Sequence, residues 1–224
     1  MEHLKGLNMK LNSNTIEILK NFATICPNIQ FKAGNVLMTK SQANTIRGMA
    51  TLDQTFPQDF AIYDLPRFIS VLGLYKDPEL TFQDSNVLIG EDNRSVKYVY
   101  TDPKMIVAVD YSRAINLPAE VTTFKITADQ FSKVLKGAGV LGLPNITIQG
   151  SNGKTLVIAQ DIKNPSTDTF EIEIGASTVD FKLTYQVDVL KLLPEDYTVT
   201  VYDTAVTKLE CSKVTYYLAA TITR

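Results

Sequence analysis

The sequence predicts an α+β protein of two similar domains, each a curved sheet with two helices on one face. Three observations predict it. Most of the chain alternates apolar and polar residues with the period of two that marks half-buried strands. Only four short segments carry the three-and-four spacing of an amphipathic helix. The order of strand, helix, several strands, helix, several strands occurs twice.

In the first half, a helix is expected over Ser13 to Ile25, opened by Asn14 with Glu17 three residues on, the pairing of a capping box. Ile18, Leu19, Phe22 and Ala23 form its apolar stripe, and Glu17, Lys20, Asn21 and Thr24 face away. Strands follow over Ile29 to Thr39, Thr45 to Leu52 and Asp59 to Tyr63. Asp64 then caps a second helix from Leu65 to Tyr75, with Pro66 tolerated in the first turn. Leu65, Phe68, Ile69 and Leu72 point inward; Arg67 and Ser70 point outward. Val87 to Glu91 and Ser95 to Tyr100 complete the half as strands.

In the second half, a strand over Thr123 to Ile126 leads into the clearest helix, Ala128 to Ala138. Thr127 and Gln130 make a capping box, and Gly137 with Gly139 supplies a stop. Its stripe leaves Asp129, Ser132, Lys133 and Lys136 outside. Strands are expected over Ile146 to Gln149, Leu156 to Gln160, Thr169 to Gly175 and Asp180 to Thr184, with Ser151-Asn152-Gly153-Lys154 as a hairpin turn. A short fourth helix, Gln186 to Leu193, is halted by Pro194 and exposes Asp188 and Lys191. Strands over Tyr197 to Tyr202, Val206 to Cys211 and Thr215 to Thr223 close the chain.

Two pairs of short segments support duplication. Asp59-Phe60-Ala61-Ile62 matches Asp180-Phe181-Lys182-Leu183, and Glu17-Ile18-Leu19-Lys20 matches Lys133-Val134-Leu135-Lys136, at offsets of roughly 121 and 116 residues. Domains are therefore expected over residues 1–110 and 111–224, with a connector at about 102–120 that carries Pro103, Pro118 and mixed charges.

Composition narrows the function. With 224 residues, 45% of them apolar and 21% charged, each half can bury a core. No apolar run approaches the roughly 20 residues of a membrane helix, and Met1 to Lys10 is unlike a signal peptide, so a cytoplasmic protein with no membrane partner is expected. Cys26 and Cys211 are far apart, and the one histidine, His3, lies in a segment that reads as a flexible start. Those facts argue against Ser-His or Cys-His catalysis and against the usual metal sites. No glycine-rich phosphate loop occurs, so no cofactor and no enzymatic activity are expected. A net charge of −2 excludes a uniformly basic coat for nucleic acid but allows basic residues confined to one face.

The run Leu19-Lys20-Asn21-Phe22-Ala23-Thr24-Ile25 and the run Ala61-Ile62-Tyr63-Asp64-Leu65 resemble, at matching places, the DNA polymerase sliding clamps of T-even-type bacteriophages. Tyr216-Tyr217-Leu218-Ala219 is similar to the last strand of the eukaryotic clamp. The resemblance runs from Met9 onward and leaves Met1 to Asn8 without a counterpart, either as an extension or with Met9 as the functional start.

This resemblance implies a homotrimeric ring of six similar clamp domains, sheets outside and helices lining a hole. It implies a processivity factor that encircles duplex DNA without reading sequence, tethers the replicative DNA polymerase and is placed by an ATP-dependent clamp loader. T-even-type clamps also assist late transcription. On the resemblance, Lys20, Arg67, Lys133, Lys136 and Lys191 become the DNA-facing residues; without it they are a solvated face. Glu17, Asp129 and Asp188 share those faces and temper the charge.

The resemblance further implies an apolar pocket for a polymerase tail, with Ile106, Val107, Val109, Ile115, Leu117, Val206 and Tyr217 as anchor contacts. Val107 and Val109 suit a core position equally well. Subunits are expected to pair through the strands that hold Tyr98 and Ile172. The alternative of another class is a sheet-rich structural or scaffold protein of a virion, which would not require lysines on its helices. A carboxylate hydrolase is the enzymatic rival.

Overall fold

The computed structural model describes residues 7–221; His3 and most of Met1–Asn8 lie outside the described residues. Two compact units divide the chain: residues up to Gln42 with Arg47–Arg113, and Ala43–Ile46 with residues from Ala114 onward.

The first unit holds β1 (Leu7–Met9), α1 (Ser13–Ile25), β2 (Ile29–Phe31), β3 (Gly34–Lys40), β4 (Ile46–Phe56), β5 (Phe60–Ile62), α2 (Leu65–Leu72), β6 (Glu79–Phe82), β7 (Asn86–Glu91) and β8 (Arg94–Val99). β1, β6, β7 and β8 form an antiparallel sheet in that order, while β2 pairs with β5 and β3 with β4.

α1 spans the expected residues but is capped differently. Asn12, not Asn14, is the N-cap, its side chain accepting from the Thr15 N–H at 2.7 Å. Asn12 lies in extended backbone, held by Gln54 and Asp53, whereas Asn14 is already inside the first turn. Ile18, Leu19 and Phe22 are fully buried, each worth about 1.5–3 kcal/mol of transfer free energy. α2 stops at Leu72, three residues early, because Gly73 caps it. Beneath the helices lies an aromatic cluster, with Phe31 stacked on Phe60 at 4.3 Å and Phe68 edge-on to Tyr98 at 5.3 Å.

The second unit repeats the order: β9 (Glu120–Ile126), α3 (Ala128–Leu141), β10 (Asn145–Ser151), β11 (Lys154–Gln160), β12 (Phe170–Ala176), β13 (Phe181–Gln186), β14 (Tyr197–Tyr202), β15 (Val206–Glu210) and β16 (Val214–Ala219). Its strands run β12-β11-β10-β13 and, side by side, β16-β15-β14-β9. The latter matches the β8-β7-β6-β1 order of the first unit, so the duplication is structural as well as sequential. Pro27-Asn28-Ile29 and Pro144-Asn145-Ile146 are a further repeat: the Pro27 carbonyl accepts from Leu65 N–H at 2.7 Å, and Pro144 accepts from Val187 N–H at 2.9 Å.

The helices differ from expectation in the second unit. α3 has the expected capping box but runs past Gly137 and Gly139 to Leu141, ending where Gly142 takes a left-handed φ of 66°. Gly137 is there for packing, since a Cβ would come within 2.6 Å of the Phe170 ring. The fourth helix does not form. Only a 3-10 turn, Val187–Val189, stands in its place, so this unit carries one α-helix where two were expected. Gln186 supplies no side-chain cap, unlike Asp64 in α2, and β-branched valines occupy the first turn. The backbone that a helix would have satisfied is taken up by tyrosines instead: Tyr197 Oη donates to the Leu193 carbonyl at 2.6 Å, and Leu193 N–H donates to Tyr216 Oη at 3.3 Å.

Several strand ends moved: β4 runs past Leu52 to Phe56, and β16 stops at Ala219. The expected strand over Ile29 to Thr39 breaks at Lys32-Ala33, where Gly34 adopts φ 120°. β1 and β6 were not expected at all; both are too short to show a clear alternation.

Candidate DNA-facing and partner surfaces

α1 and α2 pack on one another, and each leaves a basic residue in solvent: Lys20 and Arg67 are exposed, while Phe22 and Phe68 within the same turns are buried. On α3, Lys133 and Lys136 are exposed opposite Phe131, Val134 and Ala138. Lys133 Nζ sits 2.6 Å from Asp129, one turn earlier, with both side chains well exposed. Such a pair is worth little to stability, so Lys133 stays available to another anion. Lys191 is exposed but follows the 3-10 turn, so it does not share a helical face as expected.

Among the strands that end a sheet within the chain are β8 and β12. On β8, Val96 and Tyr98 turn toward the helix side, where Tyr98 Oη donates to the Asp64 carbonyl at 3.0 Å. Lys97 alternates with them and points to the other face. Beside this edge runs a groove of about 340 Å³ lined by Tyr63, Arg67, Val71, Val96 and Val99, with Tyr63 and Val99 over 60% exposed (63% and 62%). On β12, Phe170 and Ile172 turn toward α3, and Glu171 and Glu173 toward the opposite face. Val140, at the end of α3, is 85% exposed. Each edge thus has an apolar side, and their other sides carry opposite charge. Burial raises the Tyr98 phenol above its ordinary value, keeping it a neutral donor. Alternation made Tyr98 and Ile172 visible in the sequence; the lysine–glutamate complement needed the sheet order.

The connector begins with Asp102, which caps a 3-10 turn over Pro103–Met105. Ile106 and Val107 are half-buried, and Val109 is 6% exposed. Val109 is therefore packed into the first unit, as its core reading expects. Ile115, Leu117, Val206 and Tyr217 are half-buried on the second unit. Tyr217 faces away from the core side that its neighbours Tyr216 and Leu218 fill. Sequence reasoning missed Asn28 and Tyr111, which fasten the connector. The Val107 N–H donates to Asn28 Oδ1 at 3.0 Å, and Tyr111 Oη donates to the Gln30 carbonyl at 2.8 Å.

Among the described residues no group of His, Cys, Asp and Glu side chains could hold a metal ion, and no helix is long and apolar enough to cross a membrane.

The chain is similar to known proteins over most of its length. Residues 10–108 match the DNA polymerase processivity factor family, and residues 123–222 match the family described as gp45 sliding clamp, C terminal. The sliding clamp of Vibrio phage KVP40 is 30% identical over 94% of this chain and 98% of its own length. That of Escherichia phage RB69 is 27% identical over 94% and 96%. Among solved structures, A. fulgidus PCNA bound to the C-terminal region of FEN-1 superposes with a TM-score of 0.72 at 15% identity, covering 97% of this chain and 99% of that one. The Helicobacter pylori beta clamp bound to a DNA ligase peptide gives a TM-score of 0.72 at 13% identity, covering 96% of this chain and 66% of that one. Each unit matches a clamp family, and 30% identity to the KVP40 sliding clamp over nearly the full length of both joins the units in one chain: it belongs to the sliding clamps, the processivity factors of DNA polymerases.

Proposed function

We propose that the chain assembles head to tail into a homotrimeric ring that encircles duplex DNA and tethers the replicative polymerase to it. The observation that carries this reading is the exposure of basic residues on helices of both repeats, Lys20 and Arg67 in one, Lys133 and Lys136 in the other. A tether must hold DNA without gripping it. A few cations facing phosphates attract any sequence equally, and base-reading contacts would stop the slide. Asp129 beside Lys133 keeps that attraction modest. Sliding clamps are processivity factors without catalysis, so the chain is not an enzyme. Membership in this family sets aside the virion scaffold and the hydrolase.

The ring closes by pairing β8 of one copy with β12 of the next. That pairing would satisfy two open strand edges at once, bring Val96 and Tyr98 against Phe170 and Ile172, and set Lys97 against Glu171 and Glu173. The polymerase takes hold through an apolar tail, with Ile106, Val107, Ile115, Leu117, Val206 and Tyr217 as anchor contacts. Support comes from the two clamp structures solved with the C-terminal region of FEN-1 and with a DNA ligase peptide. An ATP-dependent loader opens the ring, and the protein works in the host cytoplasm. An accessory role in late transcription rests on the similarity to T-even-type clamps alone.

The test is topological. Clamp loaded onto a nicked circular plasmid should co-elute with it, and cutting the plasmid once should release the clamp. Retention on the linear product would mean that the protein binds DNA without encircling it.

A further inference from the structure

We propose that Tyr111 is a positioning residue: its hydroxyl, inserted between β2 and β3, fixes the course of the connector and so sets the affinity of the polymerase-tail site. This rests on the reading of the connector given above. The two repeats show what is unusual. In the second unit, β10 and β11 form an unbroken ladder from Asn145 opposite Gln160 to Ser151 opposite Lys154. Their counterparts β2 and β3 lie side by side, yet β2 pairs with β5 and β3 with β4.

Where a direct ladder bond would run, the Tyr111 hydroxyl intervenes. It accepts from the Met38 N–H at 3.0 Å and donates to the Gln30 carbonyl at 2.8 Å. One oxygen thus satisfies a donor on one strand and an acceptor on the other, both of which would otherwise stay unpaired. Burial pushes the phenol up to about 12, so the hydroxyl keeps its proton, and its donor role, through the neutral range.

The fastening is repeated along the connector at alternate residues. Val107 gives its N–H to Asn28 Oδ1, Val109 buries its side chain, and Tyr111 enters between the strands. Ala108 and Asp110 alternate with them, and Asp110 is exposed, turned back on Ser112 at 2.6 Å. A segment fastened at three points along its length presents its free side chains at a fixed position. Release at Tyr111 would let the segment from Val107 to Arg113 shift, and a tail peptide would then meet its anchor residues in only part of the population.

The test uses the full-length protein and Tyr111→Phe, which removes the hydroxyl and keeps the ring. The probe is a synthetic peptide copying the C-terminal residues of the replicative polymerase encoded with the clamp. Calorimetry should show affinity about three- to tenfold weaker. Hydrogen exchange should quicken at the Met38 and Val107 amides. Ile62→Val, a core change in the same unit with comparable loss of thermal stability, should alter neither.

Unchanged peptide affinity in Tyr111→Phe, or connector exchange no faster than the parent's, overturns the proposal. An equal loss of affinity in Ile62→Val also overturns it, because a general loss of stability would then explain the effect. If Tyr111→Phe does not fold, Asn28→Ala frees Val107 instead and must give the same two changes. Should the parent itself not bind the peptide, the polymerase-tail reading falls, and the exchange measurement alone decides whether Tyr111 holds the connector.

Discussion

Asn12 shows how one side chain can settle where a helix begins. Its carboxamide accepts from Thr15 N–H and donates to Asp53 at 2.8 Å, so it caps α1 and ties it to β4. Asn12→Ala should cost about 1 kcal/mol, read as a lower urea midpoint with an unchanged slope. Asp59 fastens the turn between β2 and β3, accepting from Lys32 Nζ at 2.6 Å and from the Ala33 N–H at 2.8 Å. The Lys32 bond first, then the Ala33 amide, hold its carboxyl below the usual range. A depressed acid contributes stability above its unfolded pKa and loses it as pH falls through the folded one. The thermal midpoint of Asp59→Asn should therefore lie below the parent's at neutral pH and converge on it below roughly pH 4. The gap will be small, since both partners are exposed. A gap that persists at pH 2 would show that the turn needs the shape of Asp59 and not its charge.

The elements that local pattern specifies were legible in the sequence, and those that distant residues specify were not. α1 and the capped start of α3 declare themselves through stripe and cap, and β14 through its alternation. The segment after Gln186 has the stripe of a helix but not its cap, and Tyr197 and Tyr216 satisfy its backbone from neighbouring strands. Tyr111 was equally hidden, because its two partners are backbone groups 73 and 81 residues away. Of the residues proposed to face DNA, those on true helices kept their exposure on a helical face, and Lys191 lost the helix that was to present it. At this scale the proposed interface is open to test. A proline at Tyr98 or Ile172 removes an N–H from an edge strand and should shift the protein toward monomers in light scattering. Lys97→Glu should weaken assembly, and Glu171→Lys in the same chain should restore it. A stable monomer at high concentration in the unmodified protein would end the ring reading.

At the scale of the molecule, a net charge of −2 coexists with helices that present cations, so the attraction for DNA must come from where charges sit and not from their sum. Replacing Lys20, Lys133 and Lys136 with alanine changes three exposed residues per chain and should leave the thermal midpoint nearly unchanged. It should lower loading and polymerase stimulation most at low salt. Each phosphate contact releases counterions, so the parent's advantage falls as salt rises, and the two proteins should converge at high ionic strength. Asp129→Asn pushes the other way. It removes the carboxylate that Lys133 now holds, and should raise retention on circular DNA while slowing movement along it. A triple-lysine variant that loads and stimulates like the parent at every salt concentration would place the DNA-facing surface elsewhere. A triple variant that matches the parent at low salt and falls behind only at high salt would contradict the electrostatic account, because screening removes a charge effect and cannot create one.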